Sequence, residues 1–389
     1  MHTSTARIVL PIERLLGALD AVRGDNLKNT SQPRDFFVGL EDGRMTVETF
    51  HHADHVVRSF SIPRETAWPS DLPRAWRVAT GLVPILRAAK TGLEGPYLVL
   101  LFTRNELRLE SPDGVDLQVS FPIEPRGALR PRAPYEKPPA TLHAGLLYNA
   151  LHAVIHAMSF ERDWSARLYV RAVSGGTELL AMRPHGAARV VMPAVFPEVQ
   201  VGYTSVKRLF DLTAKRPFLE TLTAGRTEHK DPVLRIESIT DEGLRVVETE
   251  IPVPLPRPDT TTIFDPAYEC GARLELDALT RALTTVQRIG SQDPLRDLLT
   301  LEFHNGRGVS VSHLDGAVRF TKFVPCAVDG SAKVRIRGEA LARALRPLQG
   351  VGGVLFDPKG DRLWIEAPFG GLTAHTAVVS TLRDTRSIT

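Results

Sequence analysis

Ile12, Leu15, Leu16, Leu19 and Val22 are spaced as the apolar stripe of a helix that packs by one face. Leu279, Ala282, Leu283, Val286 and Ile289 repeat the same offsets. Four more segments share the first three positions of that pattern: Leu82/Ile85/Leu86, Leu147/Ala150/Leu151, Val206/Leu209/Phe210 and Leu341/Ala344/Leu345. The pattern predicts six short helices. Behind each comes a β-rich run, a polar or glycine turn and a second run, the signature of a hairpin. The turns are Glu41-Asp42-Gly43, Thr103-Arg104-Asn105, Ser174-Gly175-Gly176, Thr240-Asp241-Glu242-Gly243, His304-Asn305-Gly306 and Asp357-Pro358-Lys359-Gly360. A further strand-like run closes the unit, as at 56–62, 115–123, 189–195 and 318–324. The chain therefore reads as six copies of helix, hairpin, strand, at intervals of roughly 60–70 residues.

Proline resists helix interiors and central strands, so it collects in connectors. Two runs are rich in it, 122–139 and 251–266. They predict three domains of two units each, over 1–130, 140–255 and 268–389. The expected class is α+β, with helices on one face of antiparallel sheets, because a helix with one apolar stripe and strands that alternate must cover each other.

At 389 residues and 43% hydrophobic, the chain is too long for a single core. Its two cysteines, Cys270 and Cys326, cannot form a disulfide framework or a four-cysteine zinc site, and read as buried thiols of a reducing compartment. No apolar run has signal-peptide or membrane-span length, so a cytoplasmic protein without membrane contact is expected.

The net charge of +3 is small, but its distribution is uneven. The six helices carry twelve bases: Arg14, Arg23, Arg87, Lys90, Lys207, Arg208, Lys215, Arg216, Arg281, Arg288, Arg343 and Arg346. Their acids are five, Glu13, Asp20, Asp211, Asp277 and Glu339, which leaves the remainder of the chain net acidic. Glu13, Asp277 and Glu339 fall in first turns, where the helix dipole favours a carboxylate. A basic helical surface on an acidic remainder is the footprint of sequence-independent, salt-sensitive binding to a nucleic-acid phosphate backbone. The helix from Leu147 to Met158 departs from it, having no charged residue.

Six such units with basic helices resemble the bacterial DNA polymerase III β subunit, the sliding-clamp family. The resemblance covers nearly the whole chain. It is most specific over 157–193, with Glu178-Leu179-Leu180-Ala181-Met182-Arg183-Pro184-His185, in Ser291-Gln292-Asp293-Pro294-Leu295-Arg296, and in Thr376-Ala377-Val378-Val379-Ser380-Thr381-Leu382-Arg383. It implies the DNA clamp fold, a head-to-tail homodimer ring around duplex DNA, no cofactor, no catalysis and a nucleoid-associated location. It also implies a cleft made by Met182, Pro184, His185, Val378, Val379, Leu382 and Arg383, which would receive clamp-binding peptides of a DNA polymerase, the clamp loader and repair factors. The family's Thr-Asp-Gly-His-Arg turn is replaced by Met182-Arg183-Pro184-His185-Gly186, and its Met-Pro-Met before the terminal Arg by Ser380-Thr381-Leu382. These departures suit a divergent clamp or, as the alternative, a clamp-fold scaffold that is not loaded on DNA.

A metal-dependent enzyme is the remote alternative, through His51, His52, Asp54 and His55. Alternation sets His51 and His55 on one strand face and His52 and Asp54 on the other, as surface polar residues. His152 and His156 have the i, i+4 spacing of a helical metal pair but lack the zincin Glu, and read as solvated. Gly350, Gly352 and Gly353 follow a helix and lead into a strand, the reverse of a phosphate-binding loop.

Overall fold

The computed structural model describes residues 4–379 except 24–34, 42, 52–53, 64–67, 94, 115–116, 160–165, 184–185, 215–219, 229–232, 241–242, 253, 256–263, 265–267, 290–297, 316–317 and 358–361. All six expected helices form, and the stripe of the first is buried from Ile12 to Val22. The first unit is β1 (Ala6–Pro11), α1 (Ile12–Arg23), β2 (Asp35–Glu41), β3 (Arg44–His51) and β4 (Asp54–Ser61). The second is β5 (Ala75–Ala79), α2 (Leu82–Gly92), β6 (Tyr97–Phe102), β7 (Glu106–Glu110) and β8 (Gln118–Arg126). The third is β9 (Ala140–His143), α3 (Ala144–Ile155), β10 (Arg167–Val173), β11 (Gly176–Arg183) and β12 (Gly186–Met192). The fourth is β13 (Val199–Gly202), α4 (Tyr203–Ala214), β14 (Thr221–Thr227), β15 (Val233–Thr240) and β16 (Gly243–Glu250). The fifth is β17 (Cys270–Glu275), α5 (Leu276–Ile289), β18 (Leu298–His304), β19 (Gly308–Asp315) and β20 (Val318–Pro325). After the short β21 (Ala327–Asp329), the sixth is β22 (Ala332–Arg337), α6 (Gly338–Leu345), β23 (Val351–Asp357), β24 (Arg362–Phe369) and β25 (Leu372–Val379).

Each helix is thus preceded by a strand that the sequence pattern did not reveal. These leading strands are exchanged: β1 pairs with β6 and β5 with β2, β9 with β14 and β13 with β10, β17 with β23 and β22 with β18. The exchange ties the units together two by two.

The closing strands β4 and β16 pair with each other, as do β12 and β25. Half-sheets consequently fuse into a twelve-stranded sheet from β1 to β9 and a nine-stranded sheet from β13 to β21, in addition to a four-stranded sheet of β20, β19, β18 and β22. The chain divides into two compact units, Met1–Ala144 with Ala214–Ile251 and Gly145–Thr213 with Pro252–Thr389, so the division passes through the region 140–255. In the first, α1 packs across β3 and β4 and against α2; in the second, α5 packs on β19 and β20 and against α6.

The proline-rich run 122–139 lies along the twelve-stranded sheet. Arg126 sits 4.1 Å over the Phe37 ring, Leu129 packs on the bare backbone of Gly39, and Tyr135 packs on Gly225. Hydrogen bonds from Glu136 N to Arg226 O and from Glu228 N to Pro134 O, both 2.9 Å, fix its far end. β4 is therefore covered on both faces, by helix on one and by connector on the other. That explains why Asp54 and His55, each 3% exposed, are core residues and not the surface polar residues expected from alternation.

Among the described residues, no helix is long and apolar enough to cross a membrane.

Candidate nucleic-acid interface and peptide cleft

Of the twelve helical bases, Arg14, Arg87, Lys90, Arg281, Arg288, Arg343 and Arg346 are exposed, and Lys207 is half-buried. Their positions follow from the apolar stripes, since a base between stripe residues is held on the solvent side of its helix. Arg208 differs: it is 7% exposed and lies on the packed side of α4, so it presents no surface charge. Arg23 belongs to α1, with its side chain outside the described residues, and Lys215 and Arg216 lie wholly outside them.

Several of these bases already hold an acid. Arg87 Nη2 donates to Asp20 Oδ1 at 2.8 Å, and Lys90 Nζ reaches Glu13 Oε1 at 2.8 Å, so α1 and α2 are tied by two ion pairs. On α6, Arg343 pairs with Glu339 one turn earlier. Arg14 donates to the Ser61 carbonyl at 3.2 Å. Among the described residues, no ion pair involves Arg281, Arg288 or Arg346. Among the described residues, the exposed helical bases without an ion pair therefore include Arg281 and Arg288 of α5 and Arg346 at the end of α6.

The uncharged α3 carries an aromatic group in place of bases. His152 stacks beside Tyr148, at 5.7 Å, and Phe210 of α4, at 5.6 Å, two rings that themselves stack at 4.8 Å, and it meets Phe369 at 5.1 Å. Burial, and then the nearby Arg346, hold its pKa below the ordinary imidazole value. Both ring nitrogens of His156 are sealed from solvent, although the residue keeps some exposure elsewhere. Burial and the neighbouring Arg183 push it down to about 3, so the two histidines are neutral and packed, not solvated as expected.

The expected cleft is represented by Met182, Val378 and Val379. Met182 is buried in a cluster with Tyr169, Leu180, Ala187 and Phe264, against which Trp364 packs. Val378 lies on β25 opposite Gly186 of β12, with Val379 next along the strand. Pro184, His185, Leu382 and Arg383 lie outside the described residues. Phe264 was not legible as a site residue. It comes from the second proline-rich run and is 6% exposed, with the Arg189 guanidinium 4.7 Å from its ring centre. The same run is anchored on Gln200, whose amide exchanges hydrogen bonds with Leu255 O at 2.7 Å and Leu255 N at 3.0 Å.

Of the histidines in the metal reading, His55 is committed elsewhere. His55 holds a carboxylate on each ring nitrogen, Glu248 Oε2 on Nδ1 and Glu48 Oε2 on Nε2, both at 2.9 Å. His52 and the side chain of His51 lie outside the described residues.

No family model and no curated protein matches the sequence. Solved structures do match the fold. The beta sliding clamp of C. crescentus superposes with a TM-score of 0.78 over 98% of this chain and 100% of its own, at 16% identity. The DNA polymerase III subunit beta of Pseudomonas aeruginosa, bound to griselimycin, gives 0.81 over 98% and 100% at 12% identity. That of Bartonella birtlesii gives 0.78 over the same shares at 14%. The chain has the sliding-clamp fold. The match takes in all six units, over 98% of the chain.

Proposed function

We propose that this protein is a divergent DNA sliding clamp: a non-enzymatic ring that encircles duplex DNA and tethers a polymerase or repair factor for processivity. The observation that carries the reading is the full-length clamp fold with its surplus of bases on the helices. Phosphate contacts from such bases are sequence-independent and screened by salt, as a sliding contact requires. The domains are those of 1–130, 140–255 and 268–389, and the protein acts in the cytoplasm on the nucleoid.

Edge strands support a head-to-tail dimer. Four of the six closing strands pair with each other inside the chain. Among the described residues, β20 has only β19 beside it, and the stretch Gln118–Pro122 of β8 has only β7. Both edges belong to the same class of strand that fuses elsewhere, so a second copy that joins β8 to β20 repeats the internal joints and closes two chains into a ring. Partner peptides then meet the apolar site around Met182 and Phe264.

The scaffold reading, a clamp fold that does not load on DNA, has one observation in its favour: Arg87, Lys90 and Arg343 are paired internally. Retention on closed circular duplex DNA separates the two. A ring stays on the circle at moderate salt and is released when the DNA is cut; a scaffold shows no difference between circular and linear DNA, and that result would end the clamp reading.

A further inference from the structure

The joint between β4 and β16 holds a buried row of charges that DNA binding does not use. Register places Phe50, His55, Glu248, Arg235 and Gly225 side by side across β3, β4, β16, β15 and β14. Phe50 stacks on the His55 ring at 4.4 Å, and Tyr135 of the connector packs on Gly225 with the Arg235 guanidinium 5.1 Å from its ring centre. His55 has a carboxylate oxygen 2.9 Å from each ring nitrogen, and carboxylates only accept. Both nitrogens must therefore donate, which only the imidazolium can do. Burial disfavours that charge, yet the hydrogen bonds to Glu248 and Glu48 outweigh it and hold the pKa above its ordinary value.

We propose that the β4–β16 joint is locked by a single proton on His55, and that loss of this proton at alkaline pH loosens the joint. Which interaction fails follows from the other charges on that face. Glu248 keeps Arg235, whose guanidinium contacts its second oxygen at 2.7 Å. Among the described residues, Glu48 has only the Arg130 backbone N–H at 3.4 Å and Arg126 at 3.9 Å on its second oxygen. Glu237 of β15 is turned to Arg132 of the connector at 3.8 Å. On the opposite face of the same strands, Arg58 and Arg245 stand across the joint from each other, with Asp54 at the end of β4. The poorly served Glu48 therefore retains the remaining proton, on Nε2. Nδ1 becomes a lone pair aimed at Glu248, and the interaction that spans the joint turns repulsive.

The sign is that of a raised histidine pKa. The lock is complete below the ordinary imidazole value near 6.5 and is lost as pH rises through the higher value of the closed joint. Between those limits opening releases one proton, so it grows about tenfold per pH unit.

Hydrogen–deuterium exchange on the full-length protein between pH 6 and 9, after division by the intrinsic chemical rate, tests the lock. Backbone amides of Asp54–Ser61 and Gly243–Glu250 are expected to gain exchange about tenfold per pH unit, while Gly186–Met192 at the other joint does not. Glu48→Gln supplies the control: its amide can donate to a bare Nε2, so Nδ1 keeps its proton for Glu248 and the gain disappears. No gain in the unmodified protein, or a gain unchanged in Glu48→Gln, overturns the proposal.

Discussion

Lys90 of α2 reaches back to Glu13 in the first turn of α1, Nζ to Oε1 at 2.8 Å, and holds the carboxyl's pKa below its ordinary value. The pair shows that a base counted toward a polyanion surface can be partly spent inside the molecule. Removing the acid should release it. Glu13→Gln is expected to strengthen binding to random-sequence duplex DNA, whereas Arg281→Glu with Arg288→Glu weakens it. Binding isotherms over a salt series check both. The slope of log affinity against log salt falls by about one for each phosphate that the double variant no longer neutralises. Folding stability is expected to change little at such exposed sites.

The buried imidazole of His156 predicts an acid-side loss of stability. Its pKa is pushed down to about 3 by burial and Arg183, so the folded ring stays neutral where the unfolded one binds a proton. Stability is fully present above pH 6.5 and falls as pH drops toward 3, by up to about 1.4 kcal/mol per unit. Urea denaturation at a series of pH values checks the slope. His156→Phe should flatten it, at a stability cost at pH 8 that reports only how well the larger ring fits.

The helices were legible because their stripes repeat at fixed offsets, as Ile12 to Val22 and Leu279 to Val286 show, and every one of those positions is buried. The leading strands were not. Ala6–Pro11 and Val199–Gly202 are short runs whose partners lie in another unit, and local periodicity carries no trace of a partner many residues away. The basic surface was read from composition, which cannot distinguish Arg208, on the packed side of α4, from Arg281, on the open side of α5. His55 and Phe264 escaped for two sides of one reason: the packing of a proline-rich connector on a sheet face leaves no periodic mark in the strand below, where His55 lies, nor in the connector itself, which supplies Phe264.

Glycine positions test the covering of the first sheet. A Cβ on Gly225 would stand 2.6 Å from Tyr135 Cδ1 and 3.2 Å from Pro139 Cβ, so Gly225→Ala must displace the connector. An overpacking cost of about 1–3 kcal/mol is expected. Gly17, in the exposed middle of α1, has no atom within 4 Å of such a Cβ. There Gly17→Ala should stabilise by about 0.5–1 kcal/mol, through the lower helix propensity of glycine and its freedom in the unfolded chain. Thermal and urea unfolding of the two variants should move in opposite directions.

Phe323 tests the joint between copies. It lies on β20 and is 45% exposed, a large apolar ring beside a strand edge with no partner among the described residues. Such an edge invites pairing, and natural sheets usually blunt it with charge or cover it. In the proposed dimer the ring is buried against β8 of a second copy. Phe323→Glu places a carboxylate in that joint while leaving β19 on the other side of β20 intact, so the monomer fold is retained. Sedimentation of the unmodified protein should give twice the 42.9 kDa of one chain, and the variant should sediment as a single chain and lose the difference between circular and linear DNA. A variant that remains a dimer would remove β20 from the joint and direct the search to the other strands that end a sheet among the described residues, β1, β9, β13, β21 and β22.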